Sequence, residues 1–344
     1  MDIKTIKTIE SATEKSISSF AKLSLSLLFL LAVFLWTYSS HGKVPDNTFL
    51  IIGAIFGAYM ALNIGANDVA NNVGPSVGAK ALTLTGAIII AAIFESAGAI
   101  IAGGDVVNTI KSGIIDPNLI TDKNSFIWAM TAGLLAGAVW LNFATSIGAP
   151  VSTTHAIVGG VMGAGIASAG FSILNWGSLF EIASSWIISP LLGGIVAAGF
   201  LYFIKKQIVY KENMLEQAQK FVPILIAIMT WAFTTYLILK GLKQLINIGF
   251  YSASGISILF AIVAYYLTKK SIEKNLSNLT NDRSSVNKLF TPALIFGAAL
   301  LSFAHGANDV SNAIGPLAAI NDAIMHGGTS VQASVPFWIM FVGA

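Results

Sequence analysis

Two copies of one polar, glycine-bounded stretch lie inside apolar sequence, and they limit the fold more than any other feature. The first reads Gly65-Ala66-Asn67-Asp68-Val69-Ala70-Asn71-Asn72-Val73-Gly74-Pro75, the second Gly306-Ala307-Asn308-Asp309-Val310-Ser311-Asn312-Ala313-Ile314-Gly315-Pro316. They share the Gly-Ala-Asn-Asp-Val opening, the Asn at the seventh place and the Gly-Pro close. An aspartate at the centre of an apolar span costs roughly 2.5–3.5 kcal/mol on insertion scales. Two islands spelled alike therefore imply a shared polar site.

Hydrocarbon is the relevant solvent because the chain has too few charges to cover a soluble surface. Of its 344 residues, 55% are hydrophobic and 10% charged, against about 25% charged in soluble domains. The mean hydropathy is +0.76. This is an integral, multi-pass membrane protein. Its net charge of +3 comes largely from lysines in short connecting loops, so it reads as a topology signal and excludes a nucleic-acid partner. With no cysteine, disulfide and thiolate chemistry are excluded.

The pattern along the chain predicts an amphipathic N-terminal segment over residues 1–22, lying on the membrane surface. A first span and loop follow over 23–48; no small-x-small cleavage site follows Leu23–Tyr38, which favours a retained span over a signal peptide. Residues 49–204 form a first repeat, 205–288 a connector with two spans and basic loops, and 289–344 the start of a second repeat. Gly65, Gly74 and Pro75 disfavour an unbroken helix. The islands are therefore expected on broken or re-entrant helices, tolerable at membrane depth only under cover of protein or water. Lys111 and Asn321-Asp322 are expected in loops. The Lys-rich connectors 205–220 and 269–288 flank a pair of helices, which puts both at one side, cytoplasmic by the positive-inside rule, with Lys240 and Lys243 opposite. The apolar start at Pro336-Phe337-Trp338 stops at Ala344, too soon to span about 30 Å of hydrocarbon, so the natural chain is expected to continue.

A third polar island, Ser146-Ile147-Gly148-Ala149-Pro150-Val151-Ser152-Thr153-Thr154-His155, precedes a glycine-rich helix. Gly148 and Pro150 break the chain, and Ser152, Thr153 and Thr154 open a new helix with hydroxyls and free N–H groups that attract an anion. Ser152 or Thr153 also fits the simpler role of an N-cap. Glu95, alone in its span, is either functional or a packing group. The repeated island marks an internal repeat, and an odd number of intervening spans makes the halves inverted. The resulting fold class is an all-α polytopic membrane protein, an inverted-repeat secondary transporter with broken or re-entrant helices near the midplane.

The paired islands, with Pro150-Val151-Ser152-Thr153-Thr154-His155, Phe94-Glu95 and His305, closely resemble the inorganic phosphate transporter family over roughly Leu50 to Ala344. That resemblance implies a sodium- or proton-coupled importer of phosphate in the cell (inner) membrane, with no catalytic residue and no cofactor beyond coupling ions. Relatives carry a second Ser-Thr-Thr-His island in the second half, which is absent from this sequence as it stops first. A phosphate dianion about 5 Å from one carboxylate costs on the order of 6–7 kcal/mol at an effective dielectric of 20. Cations must therefore stand between anion and aspartates. Sodium is assigned to Asp68, Asp309, Asn71 and Asn312, and phosphate to Ser152, Thr153, Thr154, Asn67 and Asn308, with Glu95, His155 and His305 in support. The partners are phosphate, sodium and the bilayer; a homo-oligomer is left open.

Another oxyanion such as sulfate is the alternative cargo, distinguished by its lack of a proton to donate. A hydrolase built on Ser152 and His155 lacks a base placed by a third group, and no Walker-type sequence supports an ATP-driven pump. Asp68→Asn or Asp309→Asn is expected to collapse sodium-dependent phosphate uptake into vesicles; unchanged uptake in either variant excludes that aspartate as a cation ligand.

Overall fold

The computed structural model describes residues 3–44, 46–120, 122–241, 248–326 and 335–344. Lys243 lies outside them. The described chain forms eleven α-helices: α1 (Ile3–His41), α2 (Asn47–Gly78), α3 (Leu84–Ala102), α4 (Gly104–Asn108), α5 (Lys123–Ser146), α6 (Thr153–Ala169), α7 (Trp176–Ile204), α8 (Met214–Gly241), α9 (Phe250–Asn275), α10 (Arg283–His326) and α11 (Phe337–Gly343). Single π-helical turns follow α4 and α7, at Thr109–Gly113 and Lys205–Val209. Among the described residues, eight helices are long and apolar enough to cross a membrane: α1 from Phe20 onward, α2, α3, α5, α7 with its π turn, α8, α9 and α10.

Three expectations are corrected. α1 is one helix of 39 residues and joins the expected surface segment to the first span, because no Gly or Pro stands between them. α2 and α10 pass through both polar islands as helix, with Pro75 inside α2 and Gly315-Pro316 inside α10. Intrinsic propensity is a weak prior, and burial overrides it here: residues 310–323 of α10 are buried throughout. The break lies at 147–152, between α5 and α6, where Gly148 has φ +69°. Asn321-Asp322, expected in a loop, is buried inside α10.

The chain divides into two compact units. The first comprises Met1–Asn67, Val106–Leu174 and Asp309–Gly343. In it α5 and α6 pack antiparallel with their backbones touching at Gly133 and Gly160; a Cβ at Gly160 would overlap the carbonyl of Gly133. Small residues let helices approach this closely in lipid. α2 meets α10 in the opposite chain direction, Gly53 against Ile320 and Gly57 against Leu317 and Ala313. Leu50, Met60, Ile127, Leu134, Ile157 and Ile314 are fully buried.

The second unit comprises Asp68–Asp105 and Asn175–Asn308, with Ala344. There α3 and α10 cross backbone to backbone, where a Cβ at Gly306 would overlap the Glu95 carbonyl and one at Gly98 the Phe303 carbonyl. Ser76 of α2 donates to the Leu294 carbonyl of α10 (2.8 Å), and Val73 joins Ala298 in a small apolar cluster. Here too α2 and α10 pass in opposite directions. α8 and α9 form an antiparallel pair. At their basic end Asn281 ties the two connectors, donating to the Glu212 carbonyl (2.6 Å) and accepting from the Leu215 amide (3.0 Å). The two Lys-rich connectors thus lie together, as their spacing predicts.

One ion pair in the first unit is buried on both sides. Lys111, on the π turn after α4, donates to Asp322 of α10, and the two side chains are 5% and 3% exposed. Burial lowers the pKa of Lys111, which makes the carboxylate opposite the condition for holding a charge there. Lys111→Met or Asp322→Leu alone, leaving one charge buried, is expected to cost about 3–5 kcal/mol. The double variant should unfold thermally closer to the parent; a double variant as unstable as the summed singles refutes the pairing.

Candidate functional site

In the first unit the site is assembled on the break after α5. Asp122 caps the start of α5, accepting from the Ser125 amide (2.9 Å), and this hydrogen bond, with that of the Ser125 hydroxyl, holds its carboxyl below the usual range. At the far end Gly148 occupies the left-handed region, which a glycine enters without steric cost, and the chain turns back into α6. Asn67 of α2 secures that turn: its Nδ2 donates to Thr145 Oγ1 (2.8 Å) and the Ala149 carbonyl (3.3 Å), and its Oδ1 accepts from the Val151 amide (3.5 Å). One turn earlier Asn63 Oδ1 accepts from Asn142 (3.0 Å) while Asn63 donates to Tyr59 (2.8 Å). Asn67 is therefore engaged in positioning the loop, a use beyond the anion ligation expected of it.

Ser152 is the N-cap of α6, accepting from the His155 amide (3.2 Å). Ser152 and His155 are exposed, whereas Thr153 is buried. Asn312, fully buried on α10, directs Nδ2 at Thr154 Oγ1 (3.1 Å), Thr153 Oγ1 (3.2 Å) and Asp309 Oδ1 (3.4 Å). The Thr154 hydroxyl donates to the same carboxylate oxygen at 3.4 Å. Hydroxyls from the start of a helix and a carboxylate are thus held together by one amide. The amide oxygen, Asn312 Oδ1, is buried and accepts no hydrogen bond among the described residues. A buried acceptor left unpaired costs about 1–3 kcal/mol, and beside a carboxylate it has the chemistry of a hard-cation ligand.

In the second unit Asp68 is buried, with His305 Nε2 3.6 Å from its Oδ2. The other ring nitrogen of His305 lies 3.3 Å from Glu95 Oε1, and Asn72 Nδ2 donates to that oxygen at 2.6 Å. Glu95 is therefore a hydrogen-bonded member of a polar cluster and not an isolated carboxylate. Asn71 and Asn308 are exposed. The formal match of Asn71 with Asn312 hides a different role, since Asn72 is the buried residue. Helical spacing could have found it, because Asp68 and Asn72 are four apart and share a face. Asn63, Asn142 and Thr145 carry no motif, and no signal in the sequence singles them out.

The fold and site define an all-helical, multi-pass membrane protein with paired Asn-Asp islands and a hydroxyl-lined helix start. The phosphate transporter family matches residues 64–344. A protein of Helicobacter pylori strain J99 named "Putative phosphate permease" is 51% identical over 347 residues, covering 100% of this chain and 65% of that protein. The chain thus spans about two thirds of the length of this relative. A protein of the same name from Haemophilus influenzae is 37% identical over 301 residues, 85% of this chain and 71% of that protein. Among solved structures, "The sodium-dependent phosphate transporter" superposes with a TM-score of 0.80 at 33% identity, covering 86% of this chain and 73% of the other. The chain belongs to the phosphate transporter family.

Because Asn67 holds the loop that presents Ser152 to Thr154, Asn67→Ala is expected to raise the phosphate KM of uptake several-fold and to cost about 1–3 kcal/mol of stability through unpaired loop groups. A fall in maximal rate with KM unchanged assigns Asn67 a different role.

Proposed function

We propose that this chain is the body of a secondary active importer of inorganic phosphate driven by sodium. The observation that carries this reading is the buried Asn312 Oδ1, without a hydrogen bond among the described residues, on the same amide that joins Asp309 to Thr153 and Thr154. An anion on those hydroxyls sits beside the Asp309 carboxylate, and a dianion about 5 Å from it is repelled by roughly 6–7 kcal/mol at an effective dielectric of 20. A sodium ion on Asp309 and Asn312 Oδ1 removes that repulsion. Phosphate and sodium then strengthen each other's binding by mutual linkage. Asp68 offers a second buried carboxylate for a cation, with His305 and Glu95 around it.

Phosphate is held by the α6 start, where Thr153 and Thr154 give hydroxyls and the helix gives free amides and its positive dipole end. The opposite chain directions of α2 and α10 in each unit favour halves of inverted topology, 49–204 forming the first and 289–344 opening the second. Such halves support alternating access by rocking about a shared site. The sodium named for the solved relative agrees with this choice of ion. The chain is accordingly assigned to a cell membrane, with its basic connectors on the cytoplasmic side.

When more positive charge enters than phosphate carries, each net charge gains roughly 2.3 kcal/mol per 100 mV. In liposomes, an inward sodium gradient alone should drive phosphate accumulation, and an interior-negative potential should accelerate it. Accumulation under a proton gradient without sodium moves the coupling to protons, and uptake indifferent to potential refutes the charge surplus.

A further inference from the structure

The basic end of the second unit has a cavity that the transport reading does not use. It has a volume of about 600 Å³ and lies between the last turns of α9 and the first turns of α10. Thr268, Ser271, Asn275, Lys288 and Thr291 supply its polar lining. Leu267, Leu279 and Pro292 supply apolar walls, and Ile272 and Leu289 connect it to the buried cluster under the connectors.

Asn275 closes α9 at the connector, whereas Leu267 lies eight residues deeper, about 12 Å at the helical rise. On α10 the order runs the same way, from Lys288 near the connector to Pro292 one turn inward. The one basic side chain of the lining, Lys288, thus stands toward the connector, and Leu267 and Pro292 stand deeper, beside Thr268 and Thr291.

Its electrostatic setting is one-sided. The connectors 205–220 and 269–288 hold nine Lys and Arg against four Asp and Glu, and Asn281 brings them together. Two of those acids already have partners: Asp282 accepts from the Thr280 hydroxyl and Ser285 amide, and Glu216 accepts from Asn213. Among the described residues none of the nine cations is in an ion pair, and Lys288 is exposed.

We propose that this cavity binds an anionic phospholipid, its headgroup phosphate on Lys288 with Asn275 and Ser271, and an acyl chain along Leu267 and Pro292. Basic pockets between membrane helices on the cytoplasmic side take anionic headgroups in this way. A free phosphate shares the headgroup chemistry but gains nothing from the apolar wall, and a zwitterionic lipid gains nothing from the surrounding positive charge. The lipid lies in the second unit.

Native mass spectrometry of the full chain in detergent, titrated with phosphatidylglycerol or phosphatidylcholine, tests this. The parent should retain phosphatidylglycerol in preference, Lys288→Gln should weaken that retention about fivefold, and Lys288→Arg should keep it. Equal retention by Lys288→Gln and the parent, or equal binding of the two lipids, overturns the proposal. Displacement of phosphatidylglycerol by millimolar inorganic phosphate overturns it in favour of a free-anion site, and a lipid-free dimer in favour of a second copy of the chain. The thermal unfolding of Lys288→Gln, read beside Lys288→Arg, separates lost lipid from lost fold.

Discussion

A polar side chain in hydrocarbon has to find its partners within the protein, since no water is available to take their place. This chain meets that requirement by placing buried and half-buried amides on facing helices. Asn312 gathers Thr153, Thr154 and Asp309, Asn67 gathers the turn at 145–151, and Asn72 reaches Glu95. Each amide has donors and an acceptor on one planar group, so it can join a hydroxyl, a carbonyl and a carboxylate without adding charge. That set is incomplete among the described residues at Asn312 Oδ1 and Asn321 Oδ1, each a buried amide oxygen whose bond is unmet.

These amides reach their partners only because the helices come close. Gly133 and Gly160 bring α5 against α6, and Gly98 and Gly306 bring α3 against α10 with no room for a Cβ. The hydrophobic effect gives little drive for helices to associate in lipid, so van der Waals contact and hydrogen bonds must provide it. Close backbone approach and polar contact are thus one device: the Gly306 crossing lies beside Glu95 and one residue from His305, where the second unit's polar cluster forms. The Lys111–Asp322 pair pins the π turn after α4 to the far end of the same helix.

Much of this was legible in the residues. The apolar runs located the spans, since their length is tied to bilayer thickness, and Ser152 marked the start of α6 through its capping chemistry. The shared spelling of the islands pointed to Asp68 and Asp309 as a matched pair. It did not carry over to burial, since Asn71 is exposed where Asn312 is buried, because a repeated letter does not fix which helix face meets a neighbour. It failed for the expected breaks at Gly74-Pro75 and Gly315-Pro316, where tertiary packing outweighs local propensity.

By itself the sequence determined the solvent, the helical class, the two islands and the gathering of lysines into two connectors, all of which follow from composition and period. Only the tertiary structure decided which polar groups meet. Asn67 with Thr145, Asn72 with Glu95 and Lys111 with Asp322 are separated by 78, 23 and 211 residues, and no local rule relates residues so far apart. Their pairing depends on the directions in which α2, α5 and α10 pass one another and on the glycines that set the distance between helices. A hydrogen bond forms over a few tenths of an ångström, a precision that helix packing supplies and that residue order alone does not contain.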